Sequence, residues 1–342
     1  MFLKFFGLTS KPFELTPNPE FLFLTPNHRE ALAQLIYGVQ EQKGFILMTG
    51  EVGTGKTTVL RTLVQRIDGR ANSAFITNST LPFDEMLEYA LADLGVSDPR
   101  GTRAQRLIAL NRFLIEQRRA GRNTVIIVDE AQNLSIETLE QIRLLSNFET
   151  NSAKLLQIVL SGQPEIWAKL QRPELRQLKQ RIGLRCWLTP MTVEQVGQYI
   201  KSHLRVASVT RQLFTDEAIV RIAAYSRGIP RMVNIVADHC LLSAYAHQTP
   251  VVDAAIVKFT IAYLEHTERS GRARWEPAAP RAGMALPRRV IVAASAGAVA
   301  VAAAVAGATS SLGYPSALHA APAALVAAVG GAVRWVTRWW GS

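Results

Sequence analysis

The residues best suited to chemistry lie in the segment 50–58, Gly-Glu-Val-Gly-Thr-Gly-Lys-Thr-Thr. Two glycines, at positions 50 and 55, precede Lys56 and Thr57 in the pattern G-x-x-x-x-G-K-[ST] of a phosphate-binding loop (P-loop). Glycine lets the backbone curl so that successive N–H groups point into one concavity, and the N-terminus of a following helix favours an anion there. In this pattern Lys56 reaches the β- and γ-phosphates, and the Thr57 hydroxyl is a ligand of Mg²⁺. The sequence therefore predicts a bound nucleoside triphosphate, taken as ATP, although the pattern does not separate ATP from GTP. The residues predicted to contact it are Gly50, Glu51, Val52, Gly53, Thr54, Gly55, Lys56, Thr57 and Thr58.

Two adjacent carboxylates, Asp129 and Glu130, follow a short β-branched run at residues 124–128. Such a run, bounded by polar residues, is typical of a buried strand. In the Walker B role Asp129 would hold Mg²⁺, directly or through water, and Glu130 would polarise the attacking water. The alternative is a strand that ends in two solvated acids before a helix N-terminus, where acids are favourable. The spacing from the P-loop favours hydrolysis of the nucleotide over binding alone.

Strand and helix patterns alternate up to about residue 190. Strands are predicted at residues 45–49, 73–77, 124–129, 155–161 and 184–188, and helices at 29–42, 57–67, 82–94, 103–120, 136–148, 164–170 and 173–180. This alternation predicts an α/β fold, a three-layer α/β/α arrangement around a parallel sheet. Four amphipathic helices are predicted beyond it, at 193–207, 215–225, 231–246 and 252–265, with caps such as Thr192, Thr215 and Asp253.

The predicted organisation has five parts. They are an N-terminal linker segment at 1–28, a P-loop ATPase domain at 29–190, a helical lid domain at 191–268, a linker rich in Arg, Pro and Ala at 269–289 and a hydrophobic tail at 290–342. Prolines in the first segment exclude a continuous helix, so we expect an extended, packed lead-in. The only two cysteines, Cys186 and Cys240, have no metal-ligand spacing around them and are predicted to be small buried side chains.

The tail contains two apolar stretches. Residues 290–309 carry no charge and are long enough to span a bilayer, and residues 317–333 form a weaker second stretch. Arginines flank the outer ends of both, which favours a hairpin with both ends cytoplasmic. A single span, and an alanine-rich tail that stays out of the membrane, are the alternatives.

The net charge of +11 is concentrated at the C-terminal end. Residues 269–342 carry eight arginines against one glutamate, so the preceding residues are only mildly basic. That distribution does not favour a nucleic acid partner.

Several short motifs together resemble the AAA+ ATPases, and within them the ExeA-like group of general secretion pathway protein A and the MSHA-biogenesis ATPases. The resemblance covers about residues 1–265. Beside the P-loop it is carried by Phe5-Phe6-Gly7-Leu8, Lys11-Pro12-Phe13, Leu15-Thr16-Pro17, His28-Arg29-Glu30-Ala31-Leu32, Asp129-Glu130-Ala131-Gln132, Gly162-Gln163-Pro164-Glu165 and Gly228-Ile229-Pro230-Arg231.

This resemblance implies three further site residues. Gln163, or Ser161 beside it, matches the polar sensor 1 that orients the water, although Gln163 would equally cap a strand. Arg181 matches the arginine finger that reaches the γ-phosphate of a neighbouring subunit in a homo-oligomer. Arg176 is a rival for that role, and Arg181 would otherwise be solvated or paired with Glu174. Arg231 matches sensor 2, and its position at a helix start, unfavourable for a cation, supports a phosphate-facing role.

The resemblance implies a membrane-tethered ATPase with its catalytic domain cytoplasmic at the bacterial inner membrane. Such an ATPase would drive a secretion or cell-surface assembly system through a membrane protein partner. Two alternatives stay open, a DNA-associated helper ATPase of the transposition type and a nucleotide-dependent scaffold that hardly hydrolyses. ExeA-like proteins continue past the membrane into a periplasmic peptidoglycan-binding domain, for which residues 310–342 are too few.

Overall fold

A computed structural model of the chain describes residues 2–272 except residues 17, 97–100 and 151–152. The predicted membrane stretches at 290–309 and 317–333, and most of the linker before them, lie outside the described residues. Among the described residues, no helix combines the length and the apolar character needed to cross a membrane.

Five parallel strands form a single sheet in the described part of the chain. They are β1 (Phe45–Gly50), β2 (Ala71–Ile76), β3 (Asn123–Val128), β4 (Leu156–Gly162) and β5 (Ile182–Leu188), in the order β2-β3-β4-β1-β5. Every residue of β1 and β4 is buried, as expected for central parallel strands covered on both faces. Met48 pairs with Ser161 and Val128 with Leu160, so the carboxyl ends of β1, β3 and β4 lie side by side.

Two layers of helices cover the sheet. On one face, Ile46 and Met48 of β1 share a buried cluster with α2 (Pro26–Gln40) and α3 (Lys56–Ile67). On the other face, Phe45 and Leu47 pack with five helices of the second layer. Those helices are α4 (Phe83–Asp93), α5 (Arg103–Arg119), α6 (Ile136–Leu145), α7 (Glu165–Leu170) and α8 (Arg176–Arg181). Alternate residues of one strand thus enter opposite cores, which gives the predicted α/β/α layers.

A second group of helices follows the sheet. It consists of α9 (Val193–Val206), α10 (Asp216–Ser226), α11 (Pro230–Ala246) and α12 (Ala254–Arg272). The predicted caps are present: Thr192 and Thr215 accept from the backbone N–H groups three residues on, and Asp253 Oδ1 accepts from Ala255 and Ile256. These helices surround a core of their own.

The N-terminal segment packs against this helical group. It begins with α1 (Phe2–Phe6) and contains a 3-10 turn at Pro19–Phe21, so it is less extended than predicted. Phe6, Leu8 and Phe13 are buried in the core of the helical group. The Thr9 backbone N–H also donates to the Ala207 carbonyl at 3.1 Å. The sequence predicted that this segment is packed, but not on what, because contacts across about two hundred residues leave no local pattern.

Some predicted boundaries were wrong. Helix α2 starts before residue 29, because Pro26 occupies its first turn and Thr25 caps it. Helix α6 ends before residue 148, because Ser146, Asn147 and Phe148 bond to the carbonyls three residues back and tighten the last turn. The segment 173–180 divides into a 3-10 turn at Pro173–Leu175 and helix α8, and α12 continues beyond residue 265.

Candidate nucleotide-binding and hydrolysis site

The P-loop connects the end of β1 to the start of α3. Gly53 and Gly55 have φ values of +79° and +94°, a region that side-chain-bearing residues rarely adopt. Gly55 is the N-cap of α3 and makes no side-chain cap, so the first N–H groups of α3 face the loop. Glycine spacing thus produces an anion-binding concavity at this helix N-terminus.

Lys56 is folded back over the loop. Its Nζ donates to the carbonyls of Gly50 at 2.9 Å and of Glu51 at 3.0 Å. Burial lowers the pKa of this lysine, and the negative charges of Glu130, Asp129, Glu51 and Glu165 oppose that effect. The ammonium group is thus held at the mouth of the loop, where it can exchange loop carbonyls for phosphate oxygens.

Asp129 is a buried carboxylate at the end of β3, only 3% exposed. Its Oδ2 accepts from Thr57 Oγ1 at 2.6 Å, and its Oδ1 accepts from Ser161 Oγ at 2.9 Å and from the Glu130 backbone N–H at 3.0 Å. Thr57 and Asp129 therefore place a hydroxyl and a carboxylate oxygen side by side. Mg²⁺ prefers oxygen ligands of this kind and takes few from the protein, so the two residues fit the predicted metal site.

Glu130 follows in a strained conformation. Its φ of +52° is unusual for a residue with a side chain, and such strain clusters at functional sites. The side-chain amides of Gln132 and Gln163 donate to Glu130 Oε2, at 2.6 Å and 3.4 Å. The backbone carbonyl of Glu130 accepts from Ser79 Oγ at 2.9 Å. The carboxylate predicted as the base is therefore held in a defined place.

Both sensor 1 candidates lie at this site, in contact with different acids. Ser161 is bonded to Asp129, whereas Gln163 is bonded to Glu130. Gln163 thus contacts the carboxylate that would orient the water, and Ser161 contacts the proposed metal ligand. Which of the two residues acts as sensor 1 stays a prediction.

Arg231 reaches the P-loop from the helical group. Its backbone N–H donates to the Gly53 carbonyl at 3.3 Å, and a Cβ added at Gly53 would lie 2.7 Å from Arg231 Cβ. Glycine at position 53 therefore permits a close approach of α11 to the loop. Arg231 also lines the cavity described below, and its role as sensor 2 stays a prediction.

Arg181 lies elsewhere, as the last residue of α8. Its Nη1 donates to Arg143 O at 3.2 Å, Ser146 Oγ at 2.5 Å and Asn147 Oδ1 at 2.7 Å. The guanidinium thus satisfies the C-terminal end of α6, where a cation is favourable, and is not the solvated group considered as an alternative. Its role as an arginine finger stays a prediction, and the rival Arg176 is exposed.

A cavity of about 440 Å³ extends from the P-loop between the N-terminal segment and the helical group. Its lining includes residues that the sequence did not indicate as site residues, among them Phe21, His28, Tyr199, His203 and Asn234. The Tyr199 hydroxyl donates to Asn234 Oδ1 at 2.8 Å, and Asn234 Nδ2 donates to the Glu14 carbonyl at 3.3 Å. These contacts join α9, α11 and the N-terminal segment around the cavity.

His28 supports the P-loop from α2. Its Nε2 lies 2.7 Å from the Thr54 carbonyl, which can only accept, so this nitrogen carries the proton. Its Nδ1 then accepts from the Thr25 hydroxyl at 2.6 Å. Burial lowers the pKa of His28 and so favours the neutral imidazole, although the hydrogen bond to Thr54 acts in the opposite direction. The motif around His28 belongs to the family resemblance, but the sequence alone does not indicate that His28 contacts the loop.

The chain is similar to known proteins with an AAA domain. An AAA domain family matches residues 39–170. Two solved structures share the fold: the Aeropyrum pernix ORC2 protein in ADPNP–ADP complexes, and Cdc6p from Pyrobaculum aerophilum. For ORC2 the TM-score is 0.54 at 15% identity over 74% of this chain and 71% of that chain. For Cdc6p it is 0.55 at 17% identity over 70% and 67%. The described part of the chain is thus a parallel α/β structure with a P-loop AAA fold.

A curated relative narrows the class. General secretion pathway protein A of Aeromonas hydrophila is 42% identical over 247 residues, which are 72% of this chain. The resemblance is confirmed: the chain belongs to the ExeA-like group of AAA+ ATPases. It spans 45% of the length of that relative.

We predict that His203 makes folding stability depend on pH. The ring stacks on Phe13 with centroids 5.9 Å apart, and burial lowers the pKa of His203 to about 4. Between pH 6.5 and 4, His203 is protonated in the unfolded chain and neutral in the folded chain. The neutral imidazole therefore contributes to the free energy of unfolding fully above pH 6.5. This contribution, on the order of 3 kcal/mol, is lost as the pH falls towards 4.

Denaturant unfolding between pH 7 and 4 should show a smaller loss of free energy of unfolding for His203→Gln than for the unmodified chain. The exposed control His247→Gln should keep the full loss, and equal pH slopes in all three proteins would contradict the assignment.

Proposed function

We propose that this chain hydrolyses ATP at the P-loop, with Mg²⁺ between the nucleotide and the protein. The observation that carries the proposal is the group of contacts around Asp129 and Glu130. Thr57 of the loop, Asp129 after β3 and Ser161 of β4 meet in one hydrogen-bonded group, and Glu130 lies next to them facing the cavity. This set supports both phosphate binding and activation of a water.

Each residue has a separate part in the proposed reaction. Lys56 would leave the Gly50 and Glu51 carbonyls and bind the β- and γ-phosphates, while Thr57 and Asp129 hold the metal. When bound by these two residues, Mg²⁺ would supply positive charge that offsets the negative charge developing on the phosphates. Glu130 would accept a proton from water as the water oxygen bonds to the γ-phosphorus. The bond from that phosphorus to the β,γ-bridging oxygen breaks, and ADP leaves with the electron pair.

The helical group would act as a lid over the nucleotide. Arg231 approaches the loop at Gly53, so a nucleotide in the cavity would contact both parts of the protein. We propose that the γ-phosphate attracts the Arg231 guanidinium and that hydrolysis releases it. This would turn the chemical step into a movement of the helices and of the N-terminal segment packed on them.

The 42%-identical relative supports a proposal about the wider role. We propose that the chain assembles as a homo-oligomer, is tethered to the bacterial inner membrane by residues 290–342, and drives a membrane protein partner in secretion or surface assembly. The name of the curated relative, General secretion pathway protein A, supports this role.

Two substitutions should separate binding from hydrolysis. Lys56→Ala is expected to abolish nucleotide binding, because it removes a ground-state contact to the phosphates. Glu130→Gln should keep ATP affinity and lower turnover by about 10²- to 10⁴-fold, because glutamine has nearly the same size as glutamate but cannot accept the proton of the water. Calorimetric titration with ATP and a phosphate-release assay measure the two effects. An equal loss of ATP affinity in both variants would contradict the role of Glu130.

A second prediction is that turnover requires neighbouring subunits. Specific activity should rise with protein concentration, and Arg181→Ala should lower turnover by about 10³-fold with ATP affinity kept. Mixing the Arg181→Ala and Glu130→Gln proteins should restore some activity, because some interfaces would pair an intact finger with an intact base.

The melting temperature of Arg181→Ala serves as the control, since Arg181 also holds the end of α6. The same mixing experiment with Arg176→Ala tests the rival residue. Turnover independent of concentration, with no rescue in either mixture, would rule out a finger in trans.

The membrane tether predicts a difference between two lengths of chain. The full chain should be recovered in the membrane fraction and resist extraction with high salt, whereas residues 1–272, which end with α12, should be recovered in the supernatant. Fractionation of cells expressing each form measures this. Recovery of the full chain wholly in the supernatant would contradict the tether.

A further inference from the structure

The turn after β3 carries a side chain, Gln132, that the proposed reaction does not use. Its Nε2 donates to Glu130 Oε2 at 2.6 Å, and its Oε1 accepts from the Gln163 backbone N–H at 3.0 Å. One amide group therefore joins the carboxylate of the proposed base to the first residue after β4. A hydrogen bond to an ionised carboxylate is short and strong, so this contact restricts where the Glu130 oxygens lie.

The neighbouring strand leaves room for this amide. A Cβ added at Gly162 would lie 2.8 Å from Gln132 Oε1 and 3.3 Å from the Gln132 backbone nitrogen. A side chain at position 162 would therefore displace the amide or the turn. Glycine at the end of β4 thus permits the close approach on which the bridge depends.

Lys169 of α7 holds the same turn from the other side. Its Nζ donates to the Gln132 carbonyl at 2.5 Å and to the Leu134 carbonyl at 2.7 Å. These carbonyls lie in and just beyond the 3-10 turn at Ala131–Asn133. Burial, and secondarily the charge of Arg172, lower the pKa of this lysine. An ammonium group donating to two backbone carbonyls keeps the turn closed.

This support matters because the turn begins in strain. The φ of +52° at Glu130 persists only where surrounding contacts fix it. Gln132 holds the carboxylate of Glu130, and Lys169 holds the backbone of the turn that follows Glu130.

We propose that Gln132 and Lys169 are positioning residues for hydrolysis, which hold Glu130 at the place where it meets the attacking water. The inference rests on the proposed ATPase function. In the described part of the chain, Glu130 lines the nucleotide cavity, whereas Gln132 and Lys169 are not among its lining residues. The two residues should therefore affect turnover and leave nucleotide affinity unchanged. A misplacement of about 1 Å in a catalytic group can cost 10²-fold in rate.

The test uses the full chain with ATP and Mg²⁺. Gln132→Ala and Lys169→Met are expected to lower kcat by about 10- to 100-fold, with the Kd for ATP within about twofold of the unmodified value. Lys169→Arg should restore much of the turnover, because a guanidinium can also donate to both carbonyls. Gln132→Glu is nearly equal in size and also removes the amide donor, so it should show the same loss of kcat. It replaces Gln132→Ala in the test if the alanine variant folds poorly.

Matched controls are Gln171→Ala and Lys179→Met, which remove the Lys179–Gln171 hydrogen bond on the exposed side of α7 and α8. They should leave kcat unchanged. Unchanged kcat in the Gln132 and Lys169 variants would overturn the inference. So would a parallel loss of ATP affinity and kcat, or no recovery with Lys169→Arg, since each indicates a general structural role. An unmodified chain that binds ATP without turnover would instead refute the proposed function itself.

Discussion

The structure of the site depends on the burial of one charge, the Asp129 carboxylate. The charge of a carboxylate that is only 3% exposed must be compensated by hydrogen bonds. Asp129 accepts them from Thr57 of the loop, from the backbone N–H of the next residue and from Ser161 of the neighbouring strand. Two of these donors, Thr57 and Ser161, come from segments far from Asp129 in sequence. They meet because β1, β3 and β4 are parallel neighbours with carboxyl ends at one edge. The sheet order is therefore a requirement of the chemistry, and both layers of helices serve to bury that sheet.

The cavity explains how chemistry at this edge could move other parts of the protein. Its walls come from the P-loop, from the helical group and from the N-terminal segment, which is buried in the helical core through Phe6 and Phe13. A ligand that binds between such parts stabilises the arrangement in which it touches all of them. The loss of a phosphate would remove contacts on the loop side first. In the proposed reaction, this loss would allow the helical group to move together with the N-terminal segment packed on it.

The sequence predicted those features that local patterns encode. The P-loop and the strands around it were placed correctly, because glycine spacing and continuous apolar runs report backbone conformation and burial directly. The caps at Thr192, Thr215 and Asp253 were predicted for the same reason. The packing of Phe13 against His203 and the contact of His28 with Thr54 join distant segments, and no periodicity signals them. The Gln132 bridge was also missed, since its partners become neighbours only after strands β3 and β4 pair.

We propose that this edge of the sheet hydrolyses ATP as well as binding it. The most direct test is a measurement of inorganic phosphate released from ATP by the purified full chain with Mg²⁺, repeated with excess EDTA. We expect continuous release over many turnovers, which stops when EDTA removes the Mg²⁺ that Thr57 and Asp129 are proposed to hold. Tight binding of ATP with no phosphate released in either condition would contradict it.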